Sequence, residues 1–192
     1  SSAASDVYKR QECNCICTHP LDEIIKVHLS HDIFCTALIY DTENKPAGIY
    51  IVKRELFESL NPEKPTDMTE DIIPEAVKSG EAVLLDGKGY YKRITTPEAF
   101  LDCQRHMLYN ENMSQRLTEN NFSGAAIGEP VYIGENVSVM SGSVIESGSV
   151  IDNNAVVKGG KVNGYVGIGS VVSERCDINS AVVCRGAVLD NG

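Results

Sequence analysis

Two hydrophobic rhythms divide the chain. From Ile127 onward aliphatic residues return every six positions, at Ile127, Ile133, Val139, Ile145, Ile151 and Val157, and after a longer step at Val166, Val172, Ile178 and Cys184. Nine of these ten are Ile or Val. The positions four further on (Val131, Val137, Ser143, Ser149, Ala155, Ser170, Cys176, Val182 and Val188) are mostly small or β-branched. This hexapeptide period predicts a parallel β-helix over residues 125–192, each short strand forming one wall and pointing its aliphatic residue inward. A β-sandwich would place turns about every 8 to 12 residues instead. Continued unbroken, the first frame would turn Lys161 inward. Burying an unpaired ammonium is costly, so the frame is expected to break there as a small loop over Gly159–Tyr165.

Before that region the pattern alternates between strand and helix. The stretch "CNCIC" reads as a strand. "THPLDEIIKVHLSH" then puts Leu21, Ile24, Ile25, His28 and Leu29 on one helical face, with Thr18 near the cap and Pro20 in the first turn. "IFCTALIY" and "AGIYIV" suit buried strands. "KRELFESL" and "TEDIIPEAVKSG" read as short helices, the second ending at Gly80. "AVLLD" and "GYYKRI" suggest two more strands, and "TPEAFLDCQRHML" a helix capped by Thr96 with Pro97 first. The order is that of an α/β layer over residues 12–108. The polar, aperiodic segment 109–124 reads as a linker.

Composition sharpens this picture in three places. The first eleven residues, "SSAASDVYKRQ", have no periodicity and can be written codon for codon as the transposon adapter used in preparing sequencing libraries; they read as a scar and are left out of the fold. A missing upstream portion is expected on that basis, and a second truncation at "LDNG", which stops in mid-coil. Seven cysteines, an odd number, argue for reduced thiols rather than a secreted disulfide framework. Cys13, Cys15, Cys17 and His19 could share a face for a metal, but the alternating spacing fits small buried strand residues better. A net charge of -10 argues against nucleic acid as a partner, and no apolar run is long enough for a membrane span; a cytoplasmic location is the default.

An α/β module followed by hexapeptide repeats resembles the sugar-phosphate nucleotidyltransferases, or NDP-sugar pyrophosphorylases, of the mannose-1-phosphate guanylyltransferase and ADP-glucose pyrophosphorylase type. Three stretches carry the likeness. "CNCICTHPLDEIIKVH" resembles the family's Gly-Asp strand and following helix, and "AGIYIVKREL" its sugar-side strand. "EDIIPEAVKSGEAVLLDGKGYYKRITTPEAFLDCQRHML" resembles the end of its catalytic domain. The resemblance implies a partial Rossmann-like nucleotidyltransferase domain joined to a left-handed parallel β-helix. It also implies the reaction of a sugar 1-phosphate with a nucleoside triphosphate to give a nucleotide sugar and pyrophosphate, with Mg2+ offsetting the charge that develops. The family's glycine-rich nucleotide loop is absent from this chain, which by itself is expected to be inactive and to hold no cofactor.

Laid over the family's motifs, the two metal-holding carboxylates fall on Asn14 and Arg93. An amide is a poor magnesium ligand and a guanidinium cannot be one. One reading is therefore a degenerate, regulatory member that still binds a sugar phosphate or nucleotide sugar, with Arg93 offering a bidentate fork to phosphate. Gly48 would let the sugar approach the backbone, and Lys45 would correspond to a phosphate-contacting lysine. The alternative is an active pyrophosphorylase whose ligands lie at neighbouring positions. Hexapeptide acyltransferases form another class, but they use a histidine, and all four histidines (His19, His28, His31 and His106) precede the repeats. A role in homo- or hetero-oligomer assembly through the β-helix is the remaining expectation. His28 and His31 have a spacing that could bind metal, and Glu70 and Asp71 could pass for paired carboxylates, but core and helix-capping roles suit them better.

Overall fold

The computed structural model describes residues 7–11, 14–40, 46–58, 66–111, 113–116 and 122–190. Two compact units divide between Arg93 and Ile94. No described helix is long and apolar enough to cross a membrane.

The first unit is a mixed α/β layer. Its sheet runs β1 (Val7–Gln11), β4 (Pro46–Lys53), β3 (Cys35–Ile39), β5 (Ala82–Asp86), with β1 and β3 antiparallel to β4 and β5 parallel to β3. Strand β3 is buried along its whole length, which the unbroken run "CTALI" anticipates. Its two sides feed two cores. Cys35 and Ala37 pack with Tyr50, Val52, Met68, Ile72 and Ile73, whereas Leu38 packs with Cys15, Ile24, Ala47, Ile49 and Ile51. Helices α1 (Leu21–Ser30), α2 (Arg54–Glu58) and α3 (Ile73–Ser79) accompany the sheet. Val7–Gln11 has no hydrophobic pattern, yet it pairs with β4, because ladder hydrogen bonds come from the backbone and any non-proline sequence supplies them.

Local signals hold with some corrections. Helix α3 ends at Gly80 in the left-handed conformation, as the sequence suggests. Its lead-in is a wide turn over Met68–Ile72 that starts at Asp67, whose carboxylate accepts from Thr69 N (2.7 Å) and Glu70 N (2.9 Å). Asp71 closes the box by accepting from Asp67 N at 2.9 Å, so the carboxylate there is structural. On α1 only Ile24 and His28 are buried; Leu21, Ile25 and Leu29 lie on the exposed side. Thr18 does not cap α1, because its hydroxyl is taken by Tyr90 N at 2.8 Å.

The second unit is a β-solenoid of about four turns with three walls. The first wall holds β8 (Ala126–Ile127), β11 (Val144–Ile145) and the start of β14 (Lys161–Val166) and of β16 (Asp177–Val183). The second holds β7 (Gln115–Arg116), β9 (Tyr132–Ile133), β12 (Val150–Ile151) and the ends of β14 and β16. The third holds β10 (Ser138–Val139), β13 (Val156–Val157), β15 (Val171–Val172) and β17 (Val188–Leu189). All strands are parallel. Within the polar segment after residue 109, Gln115–Arg116 adds a strand to the second wall, and Gln115 N donates to Val131 O at 3.0 Å.

The interior is the predicted aliphatic column: Ile133, Val139, Ile145, Ile151, Val157, Val166, Val172 and Ile178 are buried. Small residues turn the corners, and the buried serines do polar work there. Ser143, Ser149 and Ser170 donate to Val157 O (3.2 Å), Val162 O (3.1 Å) and Cys184 O (2.8 Å), carbonyls of the next turn. Buried hydroxyls are thereby satisfied.

Two positions differ from the period. The segment expected as a loop is strand β14: Val162 takes the inward place, fully buried, and Lys161 points outward with Nζ 2.8 Å from Glu146 Oε1. The frame breaks by contraction of the coil. Val162 and Val166 stand four residues apart where Ile145 and Ile151 stand six apart. Further on, Val183 faces inward and Cys184 is exposed. β16 is contracted as well, but less: its pairing with β14 leaves over Ser180, a residue at φ 48, so Ile178 and Val183 stand five residues apart, one fewer than the period.

Helix α4 (Pro97–Asn110) belongs to this unit. Thr96 Oγ1 caps it by accepting from Ala99 N at 3.1 Å, and Pro97 is its first residue. It lies against the contracted corner of the coil. Phe100 meets the Tyr165 ring edge-on at 5.2 Å, and Arg105 donates to Ser180 Oγ at 3.4 Å. Tyr165 donates in turn to Asp152 at 2.8 Å, and burial together with that carboxylate pushes its phenol up to about 12.

Candidate functional site

Two of the residues singled out by sequence, Asn14 and Arg93, lie on or next to a short ribbon in the first unit. Strand β2 (Cys15–Cys17) pairs antiparallel with β6 (Tyr91–Arg93), Cys15 opposite Arg93 and Cys17 opposite Tyr91. Of the two positions laid over the family's carboxylates, Asn14 sits in the turn just before β2 and Arg93 ends β6; both are exposed.

Gly48 joins the ribbon through Tyr91. It is buried in β4 where the register against β3 shifts, and its φ of 74 explains the missing side chain. Tyr91 donates to the carbonyl of Ala47, the residue before it, at 2.8 Å. The Tyr91 ring stacks on Tyr40 at 4.8 Å with planes 14° apart. Tyr40 donates to Lys88 O at 2.9 Å and lies 3.3 Å from Cys17 Sγ. Burial, and then the Cys17 thiol, raise the Tyr40 phenol well above its ordinary range. Tyr40 is therefore neutral, and the stacked pair fixes the ribbon to the sheet. Sequence reasoning passed over it, since two tyrosines so far apart in the chain carry no local signal.

The remaining candidates separate. Lys45 and Cys13 lie outside the described residues. His19 is buried, its Nδ1 accepting from Lys88 N at 3.0 Å, which ties the turn before β6 to the end of β2. His28 is buried with Nδ1 3.0 Å from Thr36 Oγ1, whereas His31 is exposed beside Ser30 and the Val27 carbonyl. Burial, and then the positive charge of Lys53, lower the His28 value.

Among the described residues no group of three His, Cys, Asp or Glu side chains could hold a metal ion. The magnesium that the resemblance implies for an active enzyme does not fit the ribbon, which presents an amide at Asn14 and a guanidinium at Arg93. The exposed guanidinium of Arg93 has the geometry to offer two parallel donors to a phosphate. A scan of protein-family models finds none that matches the chain, and no curated protein matches it.

Proposed function

We propose that the first unit is part of a nucleotidyltransferase-type domain that binds a sugar phosphate or nucleotide sugar without turning it over. On this reading the second unit is a left-handed hexapeptide solenoid serving in assembly. The observation that supports the reading is the register of β2 on β6, which sets Cys15 opposite Arg93, together with the hydrogen bond from Tyr91 to the carbonyl of Ala47, the neighbour of Gly48. Arg93, exposed on β6, then supplies two parallel donors to a phosphate. The alternative, an active pyrophosphorylase, needs a carboxylate pair that these two positions do not offer.

Calorimetric titration with ADP-glucose and GDP-mannose tests the proposal. Binding of either, weakened about tenfold by Arg93→Ala, is the expected result. Affinity indifferent to that substitution overturns the site, and pyrophosphate release from a sugar 1-phosphate and a nucleoside triphosphate overturns the non-catalytic reading.

A further inference from the structure

The three walls of the solenoid are finished differently on the outside. The first becomes charged, with Lys161 and Asp177 in its outward row. The second carries Tyr132, Val150 and Tyr165, and Phe100 of α4 lies against it. The third presents Ser138, Val156, Val171 and Val188 in one register-matched row, with Val188 67% exposed. Outward positions of a water-facing sheet are ordinarily polar, so a row of valines marks a contact surface.

We infer that the third wall is a self-association surface, pairing two copies of this chain about a twofold axis perpendicular to the solenoid axis. The argument is charge complementarity at the corners flanking the wall. On one side Glu135 borders the first turn and Arg185 the fourth; on the other, Lys158 borders the second turn and Glu174, followed by Arg175, the third. All five are exposed. An axis lying in the wall and across the coils sets the first turn of one copy on the fourth of the other, and the second on the third. Glu135 then faces the partner copy's Arg185, Lys158 faces its Glu174, and Val156 faces its Val171. Symmetry makes each pair twice. An axis along the coil brings Glu135 over Met140 instead, and its one opposite-charge match is Arg185 with Asp190.

The wall is small. Four strands about 4.8 Å apart, each with corners about 15 Å long, cover roughly 300 Å² per copy. That is well under the roughly 800 Å² per partner of a standard interface, so the dimer is weak and its formation depends on concentration. The inference rests on the assembly role proposed for the solenoid and is independent of ligand binding by the first unit.

Sedimentation of the full chain from about 10 µM to about 1 mM, with nucleotide-sugar titration on the same samples, tests it. The expected result is a monomer–dimer equilibrium that Val171→Lys abolishes with unchanged circular dichroism. Glu135→Arg and Arg185→Glu should each weaken it about tenfold, and the double charge swap should restore it. A monomer throughout overturns the inference. So does a dimer indifferent to Val171→Lys, or a double swap no better than either single change. Loss of nucleotide-sugar binding with the dimer intact would count against the first-unit reading alone.

Discussion

Gln104 and Gly164 are joined by a hydrogen bond that seats α4 on the solenoid: the Gln104 amide donates to the Gly164 carbonyl at 3.1 Å and, with its other proton, to that of Gly148 at 2.7 Å. Gly148 lies in the second turn and Gly164 in the third, so one side chain spans two coils. Replacing Gln104 by Leu leaves both carbonyls without this donor. A loss of about 1 to 3 kcal/mol in the second unit is expected by urea denaturation, with the first unit unaffected.

Gly164 itself lies where the coil is tightest. A methyl group there would run into the backbone carbonyl of Ala181 in the next turn, and the main chain on that side cannot swing away without breaking the ladder. Gly164→Ala should cost about 2 kcal/mol or more, as overpacking does, and lower the second unit's melting temperature. Gly142→Ala, at a corner where nothing lies within 4 Å, meets no such obstruction and costs only the strain of a side chain at φ 83, about 1 kcal/mol, so the pair of variants separates collision from backbone strain.

The contracted frame makes Lys161 and Val162 opposites. Val162 is fully buried, so Val162→Lys should abolish the cooperative transition of the solenoid, or lower its stability by about 3 kcal/mol or more. Lys161→Ala removes only an exposed pair with Glu146 and should leave the melting curve almost unchanged. Had the original six-residue frame continued, Val162→Lys would be tolerated and Lys161→Ala would stabilise the solenoid by removing a buried ammonium.

His28 predicts a pH dependence for the first unit. Its value in the folded chain lies below the ordinary value near 6.5. Between the two, the unfolded chain binds the extra proton and the folded chain does not. Stability is therefore complete above about pH 6.5 and falls as pH drops through it, before most carboxylates titrate. Urea denaturation from pH 8 to pH 5 should show this slope, and His28→Asn should flatten it.

How much of this was legible beforehand depends on the range of the forces involved. Ile145, Ile151 and Val157 announce the solenoid because each strand repeats one local environment, and a period of six follows from the coil itself. The caps at Thr96 and Gly80 were legible because capping involves residues within one helical turn. Thr18 and Asp67 were not, since the partner of the first, Tyr90, is distant in sequence, and the lead-in starting at the second is wider than an α-helical turn.

The sequence alone determined the class of both units, the inward column and the position where its frame had to break, since buried aliphatic volume and the cost of a buried ammonium are properties of the residues themselves. The tertiary structure decided the rest. It set contraction rather than a loop at Lys161, Val183 rather than Cys184 inside, α4 on the coil corner through Gln104, and Cys15 opposite Arg93 through the register of two short strands. Each of these depends on which backbone carbonyl meets which donor across a long separation in sequence, and a one-dimensional pattern does not carry that information.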